Sequence, residues 1–244
     1  MRKLPPIPTV PLISGEVPFE YAEAYKALRT NFTHLAASSE NRKLVVTSAV
    51  PDEGKSSVTI NFAISLAQVG KRVLLIDADL RKPSLNFYLS IKKNPEKNVA
   101  TVLAGLTELQ ESIVETVYGF DALLGGVTPP NPAELIGSQA MVNLMEQALE
   151  NYDFVICDTP PVGLVTDAAA LGALCDGVVF VIRQGFANKN MVQGAAHKLQ
   201  TVNAKILGTV INQYNLQDAS GKDYSYYGHY GKYGKYGNYG KYGK

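Results

Sequence analysis

Residues 48–57, Ser-Ala-Val-Pro-Asp-Glu-Gly-Lys-Ser-Ser, have the composition of a loop that binds phosphate at the start of a helix. In such a loop, backbone N–H groups and the helix N-terminus receive phosphate oxygens. We expect Lys55 to neutralise the β- and γ-phosphates of ATP and the Ser56 hydroxyl to ligate Mg²⁺. The alternative is a chance Gly-Lys-Ser sequence at a helix start. The residues predicted to bind the nucleotide are Pro51, Asp52, Glu53, Gly54, Lys55, Ser56 and Ser57.

Three aspartates follow two apolar runs of strand length. Asp77 and Asp79 come after residues 73–76, and Asp158 comes after residues 154–157. The carboxyl ends of parallel strands meet at one edge of a sheet, where ligands bind, so we expect these carboxylates near the phosphate loop. Carboxylates at that edge suit Mg²⁺ and its waters. Taken singly, each aspartate could instead cap a turn at a strand end.

The last 21 residues, 224–244, hold eight of the 14 tyrosines and no Leu, Ile, Val or Phe. Such a segment cannot form a core, and its glycines make ordering entropically costly, so we expect a flexible tail. Phenol hydroxyls tethered to a nucleotide site suggest a tyrosine kinase. The predicted phosphoacceptors are Tyr224, Tyr226, Tyr227, Tyr230, Tyr233, Tyr236, Tyr239 and Tyr242.

The elements that would position these residues alternate between strands and helices. Nearly unbroken apolar runs indicate strands that are covered on both faces, as in parallel sheets. The predicted strands are 44–47, 73–76, 154–157, 178–182 and 206–211, with a weaker one at 122–124; the predicted helices are 18–37, 56–69, 138–150, 166–174 and 188–202. This order predicts an α/β fold, a doubly wound, mostly parallel sheet flanked by helices, as in P-loop NTPases.

The composition fits one domain with two flanking segments. We expect an irregular N-terminal arm at residues 1–16, a nucleotide-binding domain at 17–213 and the tail at 214–244. The apolar runs are short of the roughly 20 residues of a spanning helix, which favours a cytoplasmic protein. A net charge of +1 gives no general reason to expect a nucleic-acid partner. Cys157, within an apolar run, is expected to be a core residue.

Several motifs together resemble the deviant Walker P-loop ATPases, and most closely the bacterial tyrosine kinases of capsule and exopolysaccharide synthesis. The resemblance runs from about residue 17 to the C-terminus. It rests on residues 24–31 (Ala-Tyr-Lys-Ala-Leu-Arg-Thr-Asn), the phosphate loop, residues 76–83 (Ile-Asp-Ala-Asp-Leu-Arg-Lys-Pro), residues 129–135, the Asp-Thr-Pro-Pro at 158–161 and the terminal tyrosines. The positioning ATPases of the same class carry a lysine five residues before the phosphate-loop lysine, where this chain has Val50. Ala49 and Asp52 depart from the loop consensus. Both lie in the part that surrounds the phosphates, so the departures affect the expected nucleotide affinity more than the expected function.

The resemblance implies roles for particular residues. Asp79 and Asp158 would hold Mg²⁺ together with Ser56, and Asn212 would contact the adenine, although it could equally be a strand-end hydrogen bonder. A carboxylate that accepts the tyrosine proton would assist transfer, and Asp77 is our candidate for this base. The assignment of Asp77 and Asp79 to these two roles stays open.

The resemblance also implies partners. Glu23, Lys26 and Arg29 match a ring-forming Glu-x-x-Arg-x-x-Arg motif, with Lys26 in place of the first arginine. The alternative is a solvated helix face with i,i+3 charge pairs. A transmembrane polysaccharide co-polymerase would activate the kinase at the inner face of the membrane, and a phosphotyrosine phosphatase would reverse the modification. Two other functions stay possible at this point: a positioning ATPase without kinase activity, and a nucleic-acid binder whose tail stacks on bases.

Overall fold

The structure is a computed structural model that describes residues 11–39 and 42–215. The predicted phosphoacceptor tyrosines, from Tyr224 to Tyr242, lie outside the described residues. Within the described ranges, no helix combines the length and the apolar character of a membrane span.

A seven-stranded sheet forms the centre of the molecule. In chain order, its strands are β1 (Lys43–Ser48), β2 (Val73–Asp77), β3 (Ile113–Glu115), β4 (Asp121–Leu123), β5 (Phe154–Asp158), β6 (Gly177–Arg183) and β7 (Ile206–Asn212). Their order across the sheet is β3-β4-β2-β5-β1-β6-β7. Every neighbouring pair is parallel except β3 and β4, which are antiparallel. The predicted mostly parallel α/β fold is confirmed.

Nine helices accompany these strands in the described part of the chain: α1 (Phe19–Ser39), α2 (Lys55–Ala67), α3 (Leu85–Tyr88), α4 (Val99–Leu103), α5 (Leu109–Ser112), α6 (Pro132–Ile136), α7 (Gln139–Asn151), α8 (Asp167–Leu174) and α9 (Lys189–Thr201). They cover both faces of the sheet. Leu44 and Val46 of β1 pack in a cluster with α1 and α2, whereas Val45 packs in a second cluster with α7, α8 and α9. Because successive strand residues face opposite sides, a central strand such as β1 buries both of its faces. This explains its unbroken apolar sequence.

Aromatic packing fixes α1 on the first of these faces. The Phe32 ring lies edge-on to Phe62 of α2, with centroids 5.2 Å apart, and to Phe154 of β5 at 5.6 Å. Edge-to-face pairs of this kind contribute about 0.5–1.5 kcal/mol beyond the burial of their area. Helix α1 is therefore part of the core.

Polar contacts from Asn61 attach the N-terminal arm to α2. The Asn61 side chain is fully buried; its Oδ1 accepts from the Ile13 N–H at 2.9 Å, and its Nδ2 lies 3.1 Å from the Pro11 carbonyl and 3.0 Å from the Ser57 carbonyl. The arm is irregular over residues 11–17, but Ile13 is buried in the cluster that contains α1 and α2. The described part of the arm is thus docked on the helix that begins at the phosphate loop.

Candidate active site

The phosphate loop connects β1 to the start of α2 and contains two residues in the left-handed conformation. Asp52 has φ +63° and Gly54 has φ +81°. A Cβ atom at Gly54 would collide with the side-chain amide of Asn212, at the end of β7. Glycine is therefore required here for both its backbone conformation and its lack of a side chain.

The Glu53 side chain stabilises this loop through hydrogen bonds to backbone groups. It is fully buried, and its carboxylate accepts the Val50 N–H at 2.9 Å and the Arg183 N–H at 3.3 Å. Glu53 thereby connects the loop to the end of β6. Because both carboxylate oxygens accept backbone N–H groups, this side chain shapes the phosphate loop.

Lys55 and Ser56 lie against acidic residues that come from the ends of other strands. The Ser56 hydroxyl donates to Asp158 Oδ2 at 2.6 Å, and Lys55 Nζ is 3.8 Å from Asp79 Oδ2. Thr59, one helical turn further along α2, donates to Asp158 Oδ1 at 3.3 Å. The structure therefore brings together the lysine and hydroxyl of the phosphate loop with the aspartates that end β5 and follow β2.

Asp77 ends β2 directly beside Asp158 in the sheet register. Its Oδ2 accepts the N–H groups of Ser84 and Leu85, at 3.0 and 3.1 Å, where α3 begins. Its Oδ1 is buried and has no hydrogen-bond partner in the described part of the chain. Asp77 thus holds the loop that carries Asp79 with one oxygen, and keeps the other free.

The charges of this cluster are not balanced. Burial raises the pKa of Asp77 to about 8, and the neighbouring Asp158 adds to this shift. Burial also raises the pKa of Asp158. Burial alone would lower the pKa of Lys55, but Asp158, Asp79 and Asp77 outweigh it and raise that pKa. Three buried carboxylates therefore surround one ammonium group, and a further cation would relieve their repulsion.

These residues fit a magnesium ion. Mg²⁺ prefers oxygen ligands, keeps several waters, and takes one or two carboxylates together with substrate phosphates. The Asp158 carboxylate, the Ser56 hydroxyl that it binds, and Asp79, whose Oδ2 lies 3.8 Å from Lys55 Nζ, supply oxygens of this kind. In the described ranges, no group of three or more His, Cys, Asp and Glu side chains is arranged as a complete metal site. A nucleotide and water would therefore complete the coordination.

Comparison with known proteins shows the family. Residues 51–213 match a family described as an AAA domain. The tyrosine-protein kinase YwqD of Bacillus subtilis (strain 168) is 38% identical over 207 residues, which cover 84% of this chain and 86% of that protein. The chain belongs to the bacterial tyrosine-protein kinases. The kinase domain of Escherichia coli tyrosine kinase ETK superimposes with a TM-score of 0.75 at 34% identity, over 81% of this kinase and 80% of that chain. The chimerical protein CapA2B2 superimposes with a TM-score of 0.74 at 36% identity, over 79% and 84%.

Asn212 lies beside the phosphate loop of the kinase. Its Nδ2 donates to the Glu53 carbonyl at 2.9 Å, and its Oδ1 accepts the Gln213 N–H at 2.9 Å. Both ends of the amide are therefore occupied in this structure. The predicted contact with adenine stays a prediction.

The residues predicted to form a ring interface are separated by the structure into two groups. Lys26 Nζ and Glu23 Oε1 form a largely exposed ion pair of 2.7 Å. Arg29, expected on the same charged face, instead turns toward α2 and donates to the Ser65 carbonyl at 2.7 Å. A guanidinium group that satisfies a helix carbonyl stabilises the packing of α1 on α2. Arg29 is thus an intramolecular contact here, and Glu23 and Lys26 remain accessible.

Two features near the site of the kinase were not anticipated. Thr59 lies four residues after Lys55 on the same helix face, so helical periodicity alone could have indicated it. The bidentate pair of Arg81 and Asp167 joins residues 86 positions apart, and no local pattern indicates it. Thr59 contacts both Asp158 and the Lys55 carbonyl, whereas the Arg81–Asp167 pair lies between the segments that follow β2 and β5.

Proposed function

We propose that this chain is an ATP-dependent tyrosine autokinase that phosphorylates the tyrosine cluster of a neighbouring copy and regulates the synthesis and export of capsular or extracellular polysaccharide. A kinase domain at residues 17–213 would act on the tail at 214–244. The proposal is supported above all by one observation: Ser56 contacts both Lys55 and Asp158, and Lys55 lies 3.8 Å from Asp79, at the sheet edge where Asp77 also ends its strand.

In the proposed reaction, a tyrosine hydroxyl attacks the γ-phosphorus and ADP leaves. Phosphoryl transfer depends on positioning and on neutralisation of charge rather than on covalent chemistry by the protein. Lys55 would bind the β- and γ-phosphate oxygens, and the N–H groups of residues 51–57 would orient them. Magnesium, when bound by Ser56, Asp79 and Asp158, would neutralise the charge of the phosphates.

Asp77 would accept the tyrosine proton. A tyrosine hydroxyl has an ordinary pKa near 10, so a carboxyl group with a raised pKa is a better base for it than an unperturbed one. Asp77 has such a pKa and a free Oδ1, whereas Asp79 is 3.8 Å from Lys55 and accepts the Lys82 N–H at 3.0 Å.

The two aspartates can be distinguished by single-turnover phosphorylation of a tyrosine peptide at several pH values. Asp77→Asn lacks the base, so its single-turnover rate should no longer increase as the pH rises. Loss of a metal ligand should instead raise the Mg²⁺ requirement, and we expect this of Asp79→Asn. The reverse result would exchange the two roles.

Transfer between copies can be tested by mixing two defective chains. A Lys55→Met chain keeps its tail but loses the phosphate-binding ammonium, and a chain that ends at residue 213 keeps its site but loses the tyrosines of the tail. Tail phosphotyrosine on the Lys55→Met chain in the mixture, and none in either chain alone, is expected. An unlabelled Lys55→Met chain in the mixture would exclude transfer between subunits.

The charge of the tail suggests a switch. Residues 222–244 carry five lysines and one aspartate, which is +4 before modification. Each phosphate adds about −1.5 to −2 at neutral pH, so eight would add roughly −12 to −16. The acidic site should attract the unmodified tail and repel the phosphorylated one. Analytical ultracentrifugation at low salt should therefore show smaller assemblies after complete phosphorylation; identical assemblies would contradict the switch.

The proposed partners follow from related proteins. In the tyrosine-protein kinase etk of Escherichia coli (strain K12), the region similar to this chain makes up 28% of the protein, so further segments accompany the kinase domain there. We infer an activator at the inner face of the membrane, a ring of copies that uses Glu23 and Lys26, and a phosphatase that removes the phosphate. Autophosphorylation should rise when the cytoplasmic segment of a polysaccharide co-polymerase is added, and should be unaffected by a scrambled segment.

A further inference from the structure

A half-buried ion pair connects the two segments that follow the strands ending in Asp77 and Asp158. Arg81 Nε donates to Asp167 Oδ2 at 2.8 Å, and Arg81 Nη2 donates to Asp167 Oδ1 at 3.0 Å. The Asp167 side chain is fully buried, whereas 41% of the Arg81 side chain is exposed. Both carboxylate oxygens are thus bound in the two-pronged geometry that is characteristic of arginine.

The position of this pair is informative. Arg81 lies two residues after Asp79, in the loop that leaves β2, and Asp167 begins α8, after the loop that leaves β5 with Asp158. The strands β2 and β5 are neighbours, and the Ala78 N–H already donates to the Asp158 carbonyl at 2.8 Å. The ion pair therefore joins the two loops a second time, farther from the strands.

These loops need such a connection because their carboxylates repel one another. Asp77, Asp79 and Asp158 are brought together with one lysine among them, and like charges in a buried site oppose close approach. A rigid link beyond the strand ends limits how far this repulsion can separate Asp79 from Asp158. A link with two parallel hydrogen bonds also fixes orientation, which a single point contact does not.

We propose that Arg81 and Asp167 are positioning residues, which hold Asp79 and Asp158 at the spacing that magnesium-dependent nucleotide binding requires. The inference rests on the proposed function, since it assigns both aspartates to the metal. Residues that hold metal ligands in place typically change metal affinity or activity 10- to 100-fold when they are substituted.

The chain contains a matched control pair. Arg72 directly precedes β2 and Asp153 directly precedes β5, so this pair connects the same two strands at their opposite ends. Arg72 Nη2 is 3.4 Å from Asp153 Oδ1, and the Arg72 N–H donates to Asp153 Oδ2 at 2.8 Å. It is far from the carboxyl ends at which the site is built, so its removal tests the effect of losing an ion pair between these strands.

The experiment compares Arg81→Gln, Asp167→Asn and the double variant with Arg72→Gln/Asp153→Asn in the full chain. Two quantities are measured for each protein: the Mg²⁺ concentration that half-saturates binding of a fluorescent ADP, and the urea midpoint of unfolding. Arg81→Gln leaves a buried carboxylate without a partner and should lower the midpoint. Asp167→Asn and the double variant remove that charge and should unfold close to the unaltered protein.

A positioning role predicts that the double variant keeps its urea midpoint but requires at least about 10-fold more Mg²⁺ for half-saturation of ADP binding. The control pair should leave the Mg²⁺ requirement unchanged. A double variant with the Mg²⁺ requirement of the unaltered protein would overturn the inference, as would an equal change in the control pair. If the unaltered protein binds ADP with Mg²⁺ but never phosphorylates tyrosine, the proposed function fails while the positioning role is still decided by the binding data.

Discussion

Substitution of Asp77 by asparagine should make the stability of the metal-free protein less dependent on pH. Asp77 has a pKa raised from 3.8 to about 8 by burial and by Asp158. Between these values the folded chain retains a proton that the unfolded chain releases, so the free energy of unfolding falls as the pH rises from about 4 to about 8. Asparagine cannot titrate, and its Oδ1 can still accept from the N–H groups of Ser84 and Leu85.

The magnitude follows from about 1.4 kcal/mol for each pH unit in which one proton is bound by the folded state alone. From pH 5 to pH 7, Asp77 would lower the free energy of unfolding by about 2.5 kcal/mol, just under the ceiling of about 3 kcal/mol for a single group over two pH units. Asp158 shifts in the same direction and persists in the variant. The difference between the two slopes therefore isolates Asp77 and whatever it adds to Asp158.

Urea unfolding in EDTA at pH 5, 6 and 7 measures these slopes. Asp153→Asn is the control, because the Arg72 N–H lowers the pKa of Asp153 and its titration therefore falls below this window. Addition of Mg²⁺ should flatten the slope of the unaltered protein, since a cation favours the ionised carboxyl group. Equal slopes for Asp77→Asn and the unaltered protein would refute the conclusion that burial keeps Asp77 protonated in the metal-free fold at these pH values.

Three further predictions concern packing around the site. Gly54→Ala should weaken ADP binding at least 10-fold in a fluorescence titration. Adding Asn212→Gly to this variant removes the clash with the Asn212 side chain but leaves the positive φ at residue 54, so the affinity should recover only slightly. Full recovery would mean that the clash alone causes the defect. Glu53→Gln should weaken ADP binding more than it lowers the urea midpoint, since the glutamine NH₂ cannot accept one of the two backbone N–H groups, of Val50 and Arg183, that the carboxylate binds. Phe32→Ala should cost about 3–5 kcal/mol of stability by urea unfolding while the affinity for ADP stays unchanged, because its ring contacts lie in the core under α1; a weaker affinity would mean that α1 packing extends its influence to the site.

The main elements of the fold could be predicted because they obey strong rules. Strands β1, β2, β5, β6 and β7 are buried on both faces or pair with such strands, which leaves apolar runs in the sequence. Strand β3, at three residues and with an antiparallel partner, has no such run, and helices α3 to α6 are too short to show a helical period. Their positions depend on contacts such as the Asp77 carboxylate at the start of α3.

The site was predictable to the extent that it follows the order of the strands. The rule that parallel strands place their carboxyl ends together predicts that Asp77 and Asp158 meet, and the register confirms it. The inward direction of Glu53 could not be foreseen, because its partner Arg183 comes from a strand 130 residues further along the chain. Likewise, the charge pattern of α1 did not reveal that Arg29 donates to the Ser65 carbonyl of α2, because this contact depends on how the two helices pack.

The buried amide of Asn61 couples the described part of the arm to the helix that begins at the phosphate loop. One side chain holds Ile13 and Pro11 from the arm and the Ser57 carbonyl from the first turn of α2. Tension applied to the chain ahead of residue 11 would therefore be transmitted to that first turn, next to Lys55 and Ser56, without passing through the sheet. Protection of the Ile13 amide against hydrogen exchange would report on its hydrogen bond to Asn61. This protection should decrease together with the affinity of the phosphate loop for nucleotide.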